Sequence, residues 1–158
     1  MEYPRKPFTV TEAMRKLERY CAYQERCHQE VSEKLREMRM IPAAMDTIIT
    51  HLVENDFLNE ERFSKAFARG KFHVKKWGRN RITRELKQRQ VSRFNIAAAL
   101  SEIKGDEYSE TLDVLARKRL GQLQEPHPLK KKRKLADYLL YRGWEPDLVY
   151  EKVNELIK

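Results

Sequence analysis

Residues 57–92 read FLNEERFSKAFARGKFHVKKWGRNRITRELKQRQVS, and the spacing within them decides the fold. Asn59 stands where a helix N-cap belongs, and Glu60 and Glu61 fall in the positive first turn that follows it. Phe63, Ala66, Phe67 and Val74 recur at helical intervals, which predicts a helix with these side chains on its inner face. Gly78 separates it from a second helix carrying Ile82 and Leu86. Ser92 then caps a third, with Ile96, Ala99, Leu100 and Ile103.

The same order recurs on both sides. Upstream, Thr9 is placed as an N-cap, Glu12 to close a capping box and Phe8 to staple against Ala13. Ala13, Met14, Leu17, Tyr20 and Cys21 mark one helix, and Val31, Leu35 and Met38 a second. Pro42, favoured in a first turn, opens a third with Met45, Ile48, Ile49 and Leu52. Downstream the sets are Leu112, Leu115 and Ala116; Leu135, Tyr138 and Leu139; and Val149, Val153 and Leu156. Gly121 and Gly143 stand where helix C-caps are expected.

Leu35, Leu86 and Leu139 occupy equivalent places, 51 and 53 residues apart, each soon followed by a helix start at Pro42, Ser92 or Pro146. A period near 50 residues indicates tandem units. The expectation is an all-α fold of three three-helix units, residues 8–55, 56–104 and 105–158. Units this small pack against their neighbours, here into an elongated body. The rival is one globular all-α domain.

Composition narrows the class. Of 158 residues 36% are charged and 41% hydrophobic, enough for a core. No apolar run approaches the roughly 20 residues of a membrane helix. The start, MEYPRKPF, lacks the apolar stretch of a signal peptide, so a cytoplasmic protein is expected. Cys21 and Cys27, six residues apart, would not share a helix face, and no disulfide is expected. Nor do they make a zinc site with His28, since structural zinc wants four ligands. No phosphate loop, metalloprotease motif or nucleophile elbow is present. The expectation is a protein that is not an enzyme, without catalytic residues, metal or cofactor. The carboxylates beside Lys and Arg, as at Glu33 and Glu107 to Glu110, read as solvated faces.

Charge is unevenly placed. Residues 1–55 carry nine basic and nine acidic side chains, residues 56–104 thirteen and five, and residues 105–158 eleven and ten. The middle unit holds +8 of a net +9. Within it, residues 71–88 carry seven Lys or Arg around Trp77 with one acid, Glu85. Lys75, Lys76, Arg79 and Arg81 crowd one turn and repel one another. Trp77 reads as core, interface anchor or stacking platform. A second run, Lys130 to Lys134 after Pro128, sets five cations at the positive end of a helix, against its dipole. Both features point to a polyanionic or acidic partner, nucleic acid or protein. The third helices, PAAMDTIITHLVE, SRFNIAAALSEI and PDLVYEKVNELIK, offer few of the Arg, Asn or Gln side chains that read base edges. Sequence-specific DNA reading is disfavoured.

The stretch Phe57 to Ser92 closely resembles the signature of RecX regulatory proteins, with its Leu-Asn-Glu-Glu-Arg-Phe start, basic stretch, Gly, Arg-Ile and Glu-Leu. YCAYQERCHQEVSEKL, from Tyr20, is similar to the first-module pattern, and KLADYLLYRGWEPDLVYEKV, from Lys134, to the third with its Arg-Gly-aromatic turn. Gln90 departs from the Gly common at that turn, and Val31 from the usual Glu-Leu. The resemblance spans residues 10–157. It implies a curved rod and a monomeric modulator of the RecA recombinase, which binds along the RecA–DNA filament and typically suppresses recombinase, ATPase and coprotease activities. On that basis Lys71, Lys75, Lys76, Arg79, Arg81, Arg84 and Lys87 are expected to attract the filament, with Trp77 orienting the helix junction. Arg26, Arg142 and the run Lys130, Lys131, Lys132 and Arg133 extend the contact. Single- or double-stranded DNA is a further possible partner, and a stand-alone nucleic-acid-binding protein the alternative.

Overall fold

The computed structural model describes residues 7–158, and among these every regular element is a helix. They are α1 (Val10–Tyr23), α2 (His28–Glu37), α3 (Pro42–Glu54), α4 (Glu60–His73), α5 (Arg79–Gln88), α6 (Arg93–Leu100), α7 (Gly105–Gln122), α8 (Pro128–Tyr141) and α9 (Pro146–Leu156). α1 and α2 pack on α3, α5 and α6 pack on α4, and α8 and α9 pack on α7 and on each other. The fold is all-α, of tandem three-helix units. No described helix is long and apolar enough to cross a membrane. The reading of MEYPRKPF rests mostly on residues 1–6, which lie outside the described residues.

The repeat extends to individual hydrogen bonds. The second helix of each unit ends in the same Schellman motif. Met40, Val91 and Trp144 donate their N–H groups to the carbonyls of Leu35, Leu86 and Leu139, at 3.1, 3.1 and 3.2 Å. The residue before each donor, Arg39, Gln90 or Gly143, takes the left-handed conformation, with φ of 60°, 59° and 93°. The three leucines are fully buried. Only the third unit uses glycine at the left-handed position. At Arg39 and Gln90 a side chain tolerates a conformation that costs roughly 1–2 kcal/mol outside glycine. Gln90→Gly is therefore expected to stabilise the chain by about 0.5–1 kcal/mol, net of the flexibility glycine adds to the unfolded state. A raised urea midpoint at unchanged m value is the check.

Helix starts follow the local chemistry. The Thr9, Asn59 and Ser92 side chains accept from the N–H groups of Glu12, Arg62 and Asn95, and Pro42, Pro128 and Pro146 open their helices. Glu12 meets the Thr9 hydroxyl at 3.2 Å. The Glu30 carboxylate accepts from the Cys27 N–H, which closes a capping box at the start of α2.

Two cores form. Ala13, Leu17, Val31, Leu35, Ile48 and Leu52 build that of the first unit. The middle and third units share a continuous one, in which Phe72, Ile82 and Leu86 are joined to Tyr108, Leu135, Leu139 and Trp144. The first unit is tied on through charge: Arg62 Nε reaches Glu25 at 2.6 Å, and the His28 N–H donates to the Glu60 carboxylate at 3.0 Å. Cys27 inserts into the shared core from the first unit's side.

Three expectations are corrected. Val74 is 75% exposed, because the inner face runs through Ala68 and Phe72 and a residue two places beyond Phe72 points to the opposite side of the still helical backbone. Gly121 lies inside the last turn of α7, which ends in extended backbone at Leu123 and needs no left-handed cap. Cys21 and Cys27 sit on different elements, the first within α1 and the second at the N-cap of α2. Both thiols are free, and burial pushes each up to about 11. They are protonated and unreactive at neutral pH.

Candidate interaction surface at the joint between the middle and third units

The basic stretch around Trp77 forms a joint. α5 starts at Gly78, which has no side chain to cap the first N–H groups of the helix. The end of α8 supplies the acceptors: Gly78 N–H donates to the Arg142 carbonyl at 2.8 Å and Asn80 N–H to the Gly143 carbonyl at 2.9 Å. Arg79 N–H donates to the Tyr108 hydroxyl at 3.0 Å. The negative end of α8 thus meets the positive end of α5, an arrangement that both dipoles favour.

Such an approach requires two glycines. A Cβ on Gly78 would lie 2.4 Å from the Gly143 carbonyl oxygen, and a Cβ on Gly143 would lie 2.2 Å from the Cβ of Arg81. Around them, Trp144 is 1% exposed and its indole N–H donates to the Lys76 carbonyl at 3.1 Å. Its ring lies 4.4 Å from that of Tyr108, centroid to centroid. The Tyr108 hydroxyl donates to Glu145, whose carboxylate also pairs with Arg79 at 3.1 Å. Burial, then the bond to Glu145, pushes the Tyr108 pKa up.

The candidate residues sort by what they touch. Arg79 is held by Glu145 and lies over the Tyr108 ring at 3.8 Å. Arg81 lies 4.2 Å from the Trp77 ring and 5.0 Å from that of Tyr141. The Arg142 guanidinium donates to the Lys75 carbonyl. Trp77 is half-buried against the shared core, with Phe67 at its edge and Lys71 over it at 5.0 Å. These side chains are engaged within the protein. Arg26 is engaged in the first unit, with its Nε bonded to the Tyr20 carbonyl at 3.0 Å and its guanidinium over the Tyr20 ring at 3.7 Å.

A second group has no carboxylate within 4 Å among the described residues: Lys75, Lys76, Arg84, Lys87 and the run Lys130 to Arg133. Lys134, which follows that run, pairs with Glu125 at 2.9 Å. Tyr108, Trp144 and Glu145 escaped the sequence reading as joint residues. The Arg-Gly-Trp at 142–144 was a usable signal, since glycine there marks a left-handed turn. Lys118 and Arg119 on α7 were also missed. They stand in a unit of nearly balanced charge, and what surrounds them is set by α8.

Two family models match the chain: the second three-helix domain of RecX over residues 59–100 and the third over residues 106–153. The chain belongs to the RecX family. The regulatory protein RecX of Serratia proteamaculans is 33% identical over 113 residues, 72% of this chain and 66% of that protein. The RecX of Bacillus cytotoxicus is 27% identical over 137 residues, 87% of this chain. The chain spans about half the length of that relative, 51%. Among solved structures, RecX from Lactobacillus salivarius superposes with a TM-score of 0.81 at 22% identity, covering 93% of this chain and 96% of that one. A second regulatory protein RecX gives 0.78 at 19% identity, covering 92% and 73%. These likenesses establish the RecX fold for the chain.

Proposed function

We propose that this RecX-family chain is a non-catalytic regulator that binds the RecA–DNA filament and lowers its recombinase, ATPase and coprotease activities. The observation that carries the reading is the division of the basic residues. Arg79, Arg81 and Arg142 brace the joint, while Lys75, Lys76, Arg84, Lys87 and the run Lys130 to Arg133 stay unpaired on the two units that it holds together. Cations held on a braced scaffold suit a long, repeating polyanion, because little ordering is left to be done on binding. The filament offers both acidic protein surface and DNA. Family membership supports the regulatory role. The chain acts as a monomer in the cytoplasm on this reading.

The test is RecA ATP hydrolysis on single-stranded DNA with this protein added below one molecule per RecA. Hydrolysis is expected to fall steeply. An unchanged rate at saturating amounts rejects the proposal. A fall that is reversed by excess DNA favours a plain nucleic-acid-binding protein that competes for the strand.

A further inference from the structure

A cleft of about 380 Å³ opens beside the joint, between the end of α4 and the facing sides of α7 and α8. Its walls carry Lys75, Lys76, Lys118, Arg119 and Arg142, with no acidic residue. None of the five has a carboxylate within 4 Å among the described residues. Five like charges around one concavity repel one another and focus a positive potential into it, and an entering anion relieves that repulsion.

The two arginines are fixed in place. Arg119 and Arg142 both address the ring of Tyr138, with guanidinium carbons 4.6 and 4.9 Å from its centroid. Arg142 is further held by the Lys75 carbonyl. The Nε of Arg119 is buried and has no hydrogen-bond partner among the described residues. That buried nitrogen faces no ligand, but the outer nitrogens of a planar guanidinium held in this way suit the oxygens of a phosphate. Two further depressions adjoin the cleft and share lining residues with it. One runs from Val74 and Lys75 along α4 past Lys71 to Phe67, and the other from Lys76 and Lys118 along α7, where Glu110 is its one acidic residue. A free phosphate has no use for neighbouring depressions, whereas a strand seated in the cleft would lay its adjacent nucleotides along them.

We propose that this cleft is a phosphate site, and that its phosphates belong to a single nucleic-acid strand threading between the middle and third units. The site adds Lys118 and Arg119 to the interaction surface. It deepens the filament reading and rests on it only for which strand is met.

The probe is a fluorescein-labelled oligothymidine, followed by anisotropy over a salt series with no RecA present. A failure here leaves the ATPase result standing, and the reverse also holds. Lys118→Gln with Arg119→Gln is expected to lower the slope of log K against log salt by about 2, and to weaken binding on the order of 50-fold near 0.1 M salt. Arg117→Gln removes the same kind of charge one residue away, from a side chain paired with Asp113 at 2.9 Å and outside the cleft. It is expected to leave the slope unchanged. Lys118→Glu, at an exposed position, repeats the loss without disturbing Tyr138.

Equal effects from Arg117→Gln and the double variant reduce the cleft to general surface charge and overturn the proposal. An unaltered slope in Lys118→Glu also overturns it. Calorimetry with pyrophosphate alone separates the two sources of phosphate. Saturable uptake that the double variant abolishes, without oligonucleotide binding, overturns the strand in favour of a small free phosphate.

Discussion

Gly143→Ala separates the middle and third units and lowers stability by about 4 kcal/mol or more, at the upper end of single substitutions. Two effects combine. The position has φ of +93°, outside the range where an alanine is at ease, and the added methyl lies 2.2 Å from Arg81 Cβ and 2.4 Å from its backbone nitrogen. The atoms met are Arg81 Cβ and the backbone that fixes it, so no rotamer relieves the clash. Withdrawal of α8 from α5 would leave the Gly78 and Asn80 N–H groups without their acceptors, at about 1–3 kcal/mol for each that stays buried. Both tryptophans of the chain, Trp77 and Trp144, lie at this joint, so their fluorescence reports on it directly. The expected result is a red-shifted emission and a lowered urea midpoint, while the first unit, with its own core, keeps its helical signal. Gly70→Ala is the contrast: that glycine is inside α4 with open space around it, and alanine there should stabilise by about 0.5–1 kcal/mol. Wild-type emission and midpoint in Gly143→Ala would refute the account of the joint.

Filament affinity falls about a thousandfold between roughly 50 and 200 mM salt if about six of the unpaired cations meet phosphates, since each releases close to one counterion. Arg84→Ala, Lys87→Ala and Arg133→Ala, all at exposed positions, together reduce the slope of log K against log salt by about 3. Arg79→Ala behaves differently, because its charge is engaged with Glu145 and the Tyr108 ring. It weakens binding through the joint, with a change in tryptophan emission and little change in slope. Contact with acidic RecA side chains also weakens with salt, through screening, so filament, free RecA and bare DNA belong in one series. The filament is expected to bind more tightly than bare DNA throughout. Equal affinity for the two would replace the RecA reading with plain nucleic-acid binding. An unchanged slope in the triple variant would show that these cations are idle.

Much of the architecture is legible in one dimension. The helix starts at Thr9, Asn59, Ser92 and the prolines depend on bonds that span three or four residues, and the structure forms them where the sequence places them. The equivalence of Leu35, Leu86 and Leu139 is legible for the same reason, since apolar periodicity and a following turn are local signals. It holds down to the hydrogen bonds those carbonyls accept. Val74 misled because its spacing from Phe63 and Phe67 suits a helical stripe, whereas the buried stripe of α4 runs through Ala68 and Phe72. Its C-cap turn had no glycine or proline to announce it, and the left-handed residue there is Lys76.

The charge of the middle unit was equally plain, but its division was not. A count of Lys and Arg treats Arg79, Arg81 and Arg84 alike. In the fold the first two are turned onto Glu145, Tyr108, Trp77 and Tyr141, and the third is left in solvent. Trp77 is a local neighbour of Arg81, but Glu145 lies 66 residues from Arg79 and Tyr141 60 from Arg81, and no local pattern records them. By itself, then, the sequence determined that the protein is helical, that it is built of tandem three-helix units, and that its excess charge is concentrated in the middle of the chain, since all three are written in short-range spacing and composition. Only the tertiary structure decided which cations brace the joint, which remain available to a partner, and that Lys118 and Arg119 share a cleft with Lys75 and Arg142. Pairing and burial are properties of surfaces brought together by folding.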